Sequence, residues 1–181
     1  DLATKVDIVQ NAVDLWHALF GADILPKVAV LAAVETVNPK MIATLDAAAL
    51  CKMADRGQIT GGILDGPLAF DNAVSIVAAK TKGIKSAVAG HAEILVVPDL
   101  ESGNMIAKQL EYLANALTAG IVLGTAESAA ILATLQASDQ AGVVLAENGV
   151  MLVSVTAAAE TLGISLSEMT AMLVDIVASD E

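Results

Sequence analysis

Residues 27–34 read Lys-Val-Ala-Val-Leu-Ala-Ala-Val, a continuous apolar run that begins directly after Pro26. A short run without polar alternation is typical of a strand that is buried on both faces. Such strands occur in parallel or mixed sheets that helices cover from both sides. The run therefore predicts an α/β protein. Upstream of it, near-helical apolar spacing at residues 2–20, closed by Gly21, predicts an amphipathic helix.

Strand and helix patterns alternate along the chain after this run. Helical patterns cover residues 45–56, 69–81 and 103–118, and short apolar runs predict strands at 61–65, 93–97 and 120–124. We expect an α/β fold of three layers, with a mainly parallel central sheet and helices on both faces. The neighbouring core strands of this sheet should be 28–34, 63–65, 94–97 and 121–123.

The composition changes near Gly124. Residues 1–124 hold 13 acidic and 9 basic residues, whereas residues 125–181 hold 8 acidic residues and no basic one. This tail still carries patterns of secondary structure: a helix at 126–138, strands at 142–146 and 150–155 that form a hairpin around Asn148-Gly149, and two further helices. Ser165 and Glu168 form a capping box before the last helix. We expect residues 125–181 to be an α/β tail that completes the same fold as residues 1–124.

Charge and cysteine content exclude several classes of protein. The formal net charge is −12 and Arg56 is the only arginine. Nucleic acids and anionic membranes attract clustered Lys and Arg, so we expect neither as a partner. Cys51 is the only cysteine, and no leader or long apolar run is evident, which favours the cytoplasm. Since the chain starts at Asp1 without Met, we interpret it as a piece whose upstream part was removed or is absent.

Metal and nucleotide motifs are absent from the sequence. No pair of Cys or His residues has the spacing of metal ligands, and no glycine-rich dinucleotide or phosphate loop occurs. We expect no metal and no tightly bound cofactor.

The first group of candidate binding residues follows the strand predicted at 61–65. Open α/β sheets bind ligands at the carboxyl ends of their strands. Asp65-Gly66-Pro67 and Asp71 lie at this point: either aspartate can accept a hydrogen bond from a substrate, and Gly66 permits a close backbone approach. Alternatively, Gly66-Pro67 only makes a turn and Asp71 caps the next helix.

The second group lies at the next predicted turn from strand to helix. Asp99 precedes Gly103 and Asn104, and Lys108 lies one helical turn further on the same face. Free N–H groups at such a helix start can bind an anion or an amide, and the alternative is an ordinary helix cap.

A third group ends the first strand. It consists of Asn38 and Lys40, and Lys40 either contacts a phosphate or is a solvated surface lysine.

Five strings in this part of the chain resemble the phosphate acetyl/butyryltransferase family. They are AVETVNPK (33–40), ATLDAAAL (43–50), DGPLAFDNA (65–73), VPDLESGN (97–104) and AGIVLG (119–124), and their order and spacing are those of the family. The resemblance implies a protein of two α/β domains with the active-site cleft between them. Residues 1–124 then correspond to the second of these domains, the phosphate acetyltransferase second domain, through which the resemblance also implies homodimers.

The resemblance further implies acyl transfer between coenzyme A (CoA) and phosphate. CoA or acetyl-CoA would be a substrate rather than a bound cofactor, and an acyl phosphate would be the other small molecule. In the family, a Ser-Arg motif that holds the phosphoryl group follows the Gly-Ile-Val-Leu-Gly strand. Here Gly124 is followed by Thr125-Ala126-Glu127-Ser128, and no Ser-Arg pair occurs.

Without this motif and the first domain, we assign no catalytic residue and expect weak or absent activity. The alternative is a non-catalytic domain, whether truncated, engineered or chimeric, that serves as a stable scaffold or a self-association module.

Overall fold

The computed structural model describes residues 1–114, residue 116 and four short strands farther along the chain. In chain order, the elements are α1 (Leu2–Phe20), β1 (Lys27–Leu31), α2 (Ile42–Asp55), β2 (Ile63–Leu68), α3 (Phe70–Val74), α4 (Ile76–Thr81), β3 (Ile94–Val96), α5 (Leu100–Leu113), β4 (Val122–Leu123), β5 (Leu145–Ala146), β6 (Met151–Ser154) and β7 (Ala171–Val174).

Strand β1 is the centre of the parallel part of the main sheet. β2 and β3 run parallel to it on either side, so that Val28 lies opposite Leu64 in β2 and Ile94 in β3. β6 pairs antiparallel with β3, and β7 pairs antiparallel with β6. The strand order is therefore β2-β1-β3-β6-β7. Three parallel strands with interspersed helices confirm the predicted α/β class.

Successive side chains of β1 enter two separate hydrophobic cores. Val28 and Val30 pack with α1 and α2 on one face of the sheet. Ala29 and Leu31 pack on the other face with residues of α3 and α4, and α5 adds partly buried side chains there. These four residues of β1 are at most 4% exposed. Because both faces of the strand are apolar, both need a helical cover, which produces the three layers.

The first helix has the bounds that its sequence pattern predicts. The Asp1 carboxylate accepts a hydrogen bond of 3.0 Å from the Thr4 backbone N–H. Gly21 ends the helix with a φ of 98°, a conformation that glycine adopts at little cost. Neither α1 nor any other helix in the described part of the chain is long and apolar enough to cross a membrane.

Strand β2 extends further than its sequence pattern predicts. Asp65, Gly66 and Pro67 lie inside the strand rather than in a loop after it, and the Gly66–Pro67 peptide bond is cis. The pairing of β2 with β1 continues to Leu68 opposite Leu31, after a register shift in this stretch. A Cβ on Gly66 would lie 2.6 Å from the Val30 carbonyl oxygen. Gly66 therefore permits close approach of the β1 backbone, and its contact with a ligand stays a prediction.

Three helix predictions need correction. The helix predicted at 45–56 spans Ile42–Asp55. The pattern at 69–81 forms two helices, because Ser75 is extended and its hydroxyl accepts a hydrogen bond of 3.3 Å from Ala78 N–H at the start of α4. Serine competes with helical hydrogen bonding in this way. The helix predicted to begin at Gly103 begins at Leu100, because Asp99 caps it.

The fourth predicted core strand lies in a different sheet. β4 pairs in parallel with β5 in a separate sheet of two strands. In the main sheet, the edge of β3 that does not face β1 is occupied by β6. Since a strand edge accepts only one neighbour, the prediction for residues 121–123 is wrong in its pairing.

Two predictions for the tail also fail at the described strands. β5 and β6 fall at their predicted positions, but they belong to different sheets and do not pair as a hairpin. β7 lies where a final helix was predicted. Ala171–Val174 is a short apolar run, for which periodicity does not distinguish helix from strand, and pairing with β6 decides the conformation. The helix predicted at 126–138 and the capping box of Ser165 and Glu168 lie outside the described residues. The division of the chain at Gly124 stays a prediction.

Gly66→Ala tests the close approach of β1 and β2. The added methyl group must displace backbone, so we expect a loss of roughly 1–3 kcal/mol in the free energy of unfolding, measured by urea denaturation. Gly57→Asn is the control: space around Gly57 is open, and asparagine tolerates its positive φ. The control should stay within about 0.5 kcal/mol of the native protein. Equal stability of the two variants would contradict the packing described here.

Candidate functional site

The carboxyl ends of β1, β2 and β3 meet at one edge of the sheet, here called the carboxyl edge. The backbone N–H of Ala32 donates a 2.9 Å hydrogen bond to the Leu68 carbonyl oxygen and joins β1 to β2 at this edge. Beyond this point the chain carries Glu35 after β1 and Asn72 after β2. Open α/β sheets place ligands at such an edge.

Three polar side chains from separate segments meet at the carboxyl edge and form the Glu35–Asn72–Lys82 cluster. Lys82 Nζ lies 2.7 Å from Glu35 Oε1. Asn72 Nδ2 donates a hydrogen bond to the same oxygen. The side chains of Lys82 and Glu35 are 49% and 22% exposed, and Asn72 is fully buried. The cluster thus extends from the protein surface at Lys82 to the buried amide of Asn72.

Proximity changes the proton affinity of both charged groups in the cluster. The hydrogen bond from Lys82 lowers the pKa of Glu35, against an opposing effect of burial. The hydrogen bond to Glu35 raises the pKa of Lys82, and the charge of Asp71 acts in the same direction. Both groups are therefore held in their charged forms at neutral pH.

The amide of Asn72 has an unsatisfied oxygen. Its Oδ1 is buried and has no hydrogen-bond partner among the described residues. The backbone of Asn72 is held in place, since its carbonyl oxygen accepts a 2.8 Å hydrogen bond from Gly90 N–H. Buried polar atoms in native proteins nearly always have a partner, so this oxygen marks a position that a donor can fill.

Among the predicted residues, Asp71 lies next to this cluster. It is exposed in the first turn of α3, and its charge acts on Lys82. The alternative in which Asp71 caps the helix is wrong, because the N-cap position is Ala69.

Asp65, Gly66 and Pro67 face different surroundings. Asp65 Oδ1 accepts a 2.8 Å hydrogen bond from the N–H of the adjacent Gly66. The Cys51 thiol of α2 lies 3.7 Å from the Gly66 carbonyl oxygen. Burial first, and then the charges of Asp65 and Asp55, raise the pKa of Cys51 to about 12. This thiol stays protonated at neutral pH, and residues 65–67 lie in the strand that packs against α2.

Asn38 and Lys40 belong to the loop that leads from β1 to α2. Asn38 Oδ1 accepts a 3.0 Å hydrogen bond from Lys40 N–H, and Asn38 N–H donates a 2.8 Å hydrogen bond to the Thr44 hydroxyl. Thr44 is fully buried. Asn38 therefore shapes the loop, whereas the Lys40 side chain is exposed.

The group on α5 has the geometry of a capped helix. Asp99 accepts a 2.7 Å hydrogen bond from Ser102 N–H, and Gly103 N–H donates to the Asp99 carbonyl oxygen at 3.1 Å. The Gly103 N–H is thus not free to bind an anion, because the helix starts before it. Asn104 lines a shallow surface groove of about 470 Å³ together with Leu100, Glu101 and Met105.

Lys108 is directed along its own helix. Its ammonium lies 3.1 Å from Glu111 and 5.7 Å from the centroid of the Tyr112 ring. In the described part of the chain, no group of three or more His, Cys, Asp or Glu side chains could hold a metal ion.

Sequence reasoning missed the three members of the cluster. Glu35 and Asn72 follow neighbouring parallel strands, so the rule that identified Asp71 could also have identified them. No local signal identifies Lys82, which follows α4 and is 47 residues from Glu35 in sequence.

Most of this chain is similar to known proteins of one family. A family model described as Phosphate acetyl/butaryl transferase matches residues 1–146. A phosphate acetyltransferase of Rhizobium meliloti is 64% identical over 124 residues, which cover 68% of this chain and 39% of that protein. A phosphate butyryltransferase of Clostridium acetobutylicum is 49% identical over 137 residues, which cover 76% of this chain and 44% of that protein. These matches confirm the resemblance drawn from the five strings.

Solved structures of phosphotransacylases share the fold of this chain. A branched-chain phosphotransacylase from Enterococcus faecalis matches with a TM-score of 0.58 and 33% identity over 64% of this chain and 40% of that chain. A phosphotransacetylase from Streptococcus pyogenes matches with a TM-score of 0.52 and 32% identity over 61% of this chain and 32% of that chain. The chain spans less than half the length of each of these four proteins.

Substitution of Glu35 tests the hydrogen bond that it accepts from the buried side-chain amide of Asn72. Glu35→Ala leaves Asn72 Nδ2 without its acceptor and should lower the free energy of unfolding by about 1–3 kcal/mol. Glu35→Gln retains an oxygen that can accept from Asn72, so its loss should be smaller. Urea denaturation at neutral pH compares the two variants, and equal losses would contradict the hydrogen bond.

The pH dependence of this effect has a defined sign. Folding lowers the pKa of Glu35, so the stability that its charge provides is present above the ordinary value of 4.5 and is lost as pH falls through the lowered value. Folding raises the pKa of Lys82, so its contribution is present below the ordinary value of 10.5 and is lost as pH rises through the raised value. The stability difference between native protein and Glu35→Gln should therefore be greatest near neutral pH and shrink at both extremes.

Proposed function

Because the chain belongs to the phosphate acetyl/butyryl transferase family, with a match over residues 1–146, we propose that it is a domain for acyl transfer between CoA and phosphate. The match to this family carries the proposal, and the polar cluster at the carboxyl edge supports it. The chain spans only 39% of the Rhizobium meliloti relative. The proposal therefore concerns the part that this domain plays in the reaction.

The reaction exchanges one bond to the acyl carbon for another. A phosphate oxygen attacks the carbonyl carbon of acyl-CoA, the C–O bond forms, the C–S bond breaks, and the thiolate of CoA leaves and takes up a proton. The reverse direction needs a base that removes this proton. Both directions need positive groups or N–H donors near the phosphate and the developing oxyanion.

The described residues provide few such donors at the carboxyl edge. Lys82 is paired with Glu35, and Lys40 is exposed in a loop. Arg56 is the C-cap of α2, and its backbone N–H donates to the carbonyl oxygens of Lys52 and Met53. Since α2 returns from the end of β1 to the start of β2, Arg56 lies towards the opposite edge of the sheet. We therefore propose that this chain alone has weak or no activity and that catalytic cations come from outside it.

An activity assay with acetyl phosphate and CoA tests this proposal. The purified chain should show little turnover, because loss of even one oxyanion donor costs on the order of 10²–10³ in rate. Calorimetric titration of the same chain with CoA should show weak binding. Turnover near ~10 s⁻¹ that Asp71→Ala abolishes would show that the chain contains a complete catalytic site.

A second candidate function is self-association without catalysis, and an exposed apolar patch favours it. Phe70, Val74 and Val77 on α3 and α4 are 41%, 43% and 75% exposed. Phe70 and Val74 are four residues apart and share one side of α3, and Val77 follows at the start of α4. We propose that a second copy of the chain covers this patch in a homodimer, with two-fold symmetry as in most soluble dimers. Cytoplasmic location stays a prediction.

Light scattering tests the homodimer. The native chain should have the mass of a dimer, and Val77→Lys should shift it towards the monomer, because a buried charge without a partner opposes association. Ile24→Lys is the control: Ile24 is 50% exposed in the segment before β1, outside the patch. A monomeric native chain at high concentration would refute the proposal.

A further inference from the structure

The most buried polar side chain of the cluster offers a hydrogen-bond acceptor. Asn72 Nδ2 donates to Glu35, and this contact fixes the orientation of the amide, because a carboxylate oxygen only accepts. Asn72 Oδ1 therefore faces away from Glu35 and has no partner among the described residues. The group that completes this amide must supply an N–H or O–H.

The charges around this oxygen restrict the chemistry of the donor. Glu35 and Asp71 are acidic, and Lys82 is the one basic group among these three. Their formal charges leave a net negative charge on these neighbours of the Asn72 side chain. Phosphate and acyl phosphate are anionic and mostly offer acceptors, so they are unsuited to this position. The pantetheine arm of CoA is uncharged and carries amide N–H groups.

We propose that Asn72 Oδ1 accepts a hydrogen bond from an amide N–H of the pantetheine arm of CoA. The inference rests on the proposed function, which makes CoA a substrate. Asn72 is fully buried, so the contact requires local opening at the carboxyl edge, where the Lys82–Glu35 ion pair is the exposed part of the cluster. Ion pairs with an exposed partner contribute little to stability, so this pair can open to admit the arm.

Calorimetric titration of the full chain with CoA, pantetheine and adenosine 3′,5′-bisphosphate separates the two ends of the ligand. Asn72→Ala should weaken the binding of CoA and pantetheine roughly 3- to 10-fold, the effect of one hydrogen bond. Binding of the nucleotide should not change. Asn11→Ala on α1 makes the same chemical change outside the cluster and should leave all three affinities unaltered.

A double variant distinguishes the acceptor from a general effect on the fold. Glu35→Gln combined with Asn72→Asp exchanges the amide and the carboxylate, so the hydrogen bond between the two positions and the net charge are kept. An acceptor oxygen also remains at position 72. Pantetheine affinity should therefore return to near the native value, whereas Asn72→Leu, which keeps the side-chain volume but has no acceptor, should bind as weakly as Asn72→Ala. Native affinity in Asn72→Leu would show that Asn72 acts through packing alone.

The outcomes separate this inference from the proposed function. Absence of CoA binding by the native chain overturns the proposed function and the inference with it. CoA binding of equal strength in the native chain and in Asn72→Ala overturns the inference alone. If Asn72→Ala does not fold, the ¹H–¹⁵N signals of the Asn72 side-chain amide in the native chain decide: a shift on addition of pantetheine supports the contact, and its absence overturns it.

Discussion

Burial of strand β1 on both faces is the constraint on which the rest of the structure depends. Its side chains enter two cores, and its residues from Val28 to Leu31 are at most 4% exposed. Water cannot reach the backbone of such a strand, so β2 and β3 must satisfy its N–H and C=O groups. The parallel pairing that results aligns the carboxyl ends of the three strands. This alignment brings the segments with Glu35 and Asn72 to the same edge.

Backbone contacts then hold the carboxyl edge in shape. Gly90 N–H donates to the Asn72 carbonyl oxygen at 2.8 Å, and Ala92 N–H donates to that of Ala73 at 3.1 Å. Gly90 has a φ of 80°, and a Cβ there would lie 2.7 Å from Ile76 Cα. A side chain at this position would push α4 away. The buried amide of Asn72 is thus fixed by its surroundings before any ligand binds, and preorganised polar groups lose little entropy on binding.

The candidate site could be predicted from the sequence only in part. The position of Asp71 after an apolar run predicts it as a site residue, and the same argument applies to Asn72 beside it. The sequence pattern predicts that Asp65, Gly66 and Pro67 end a strand, but they lie within β2, where Gly66 meets the β1 backbone. Turn residues such as Gly and Pro mark a strand end in most sequences, and here the register shift between β1 and β2 accommodates them.

The sequence by itself determined the α/β class, the first helix and the positions of β1, β3 and β6, because apolar periodicity and caps are local properties of the chain. Only the tertiary structure decided which strands pair: β6 rather than β4 lies next to β3. It also brought Lys82 to Glu35 across 47 residues of sequence. Pairing and ion pairs of this kind depend on competition between distant segments for the same edge or the same charge, and no local pattern records the outcome of that competition.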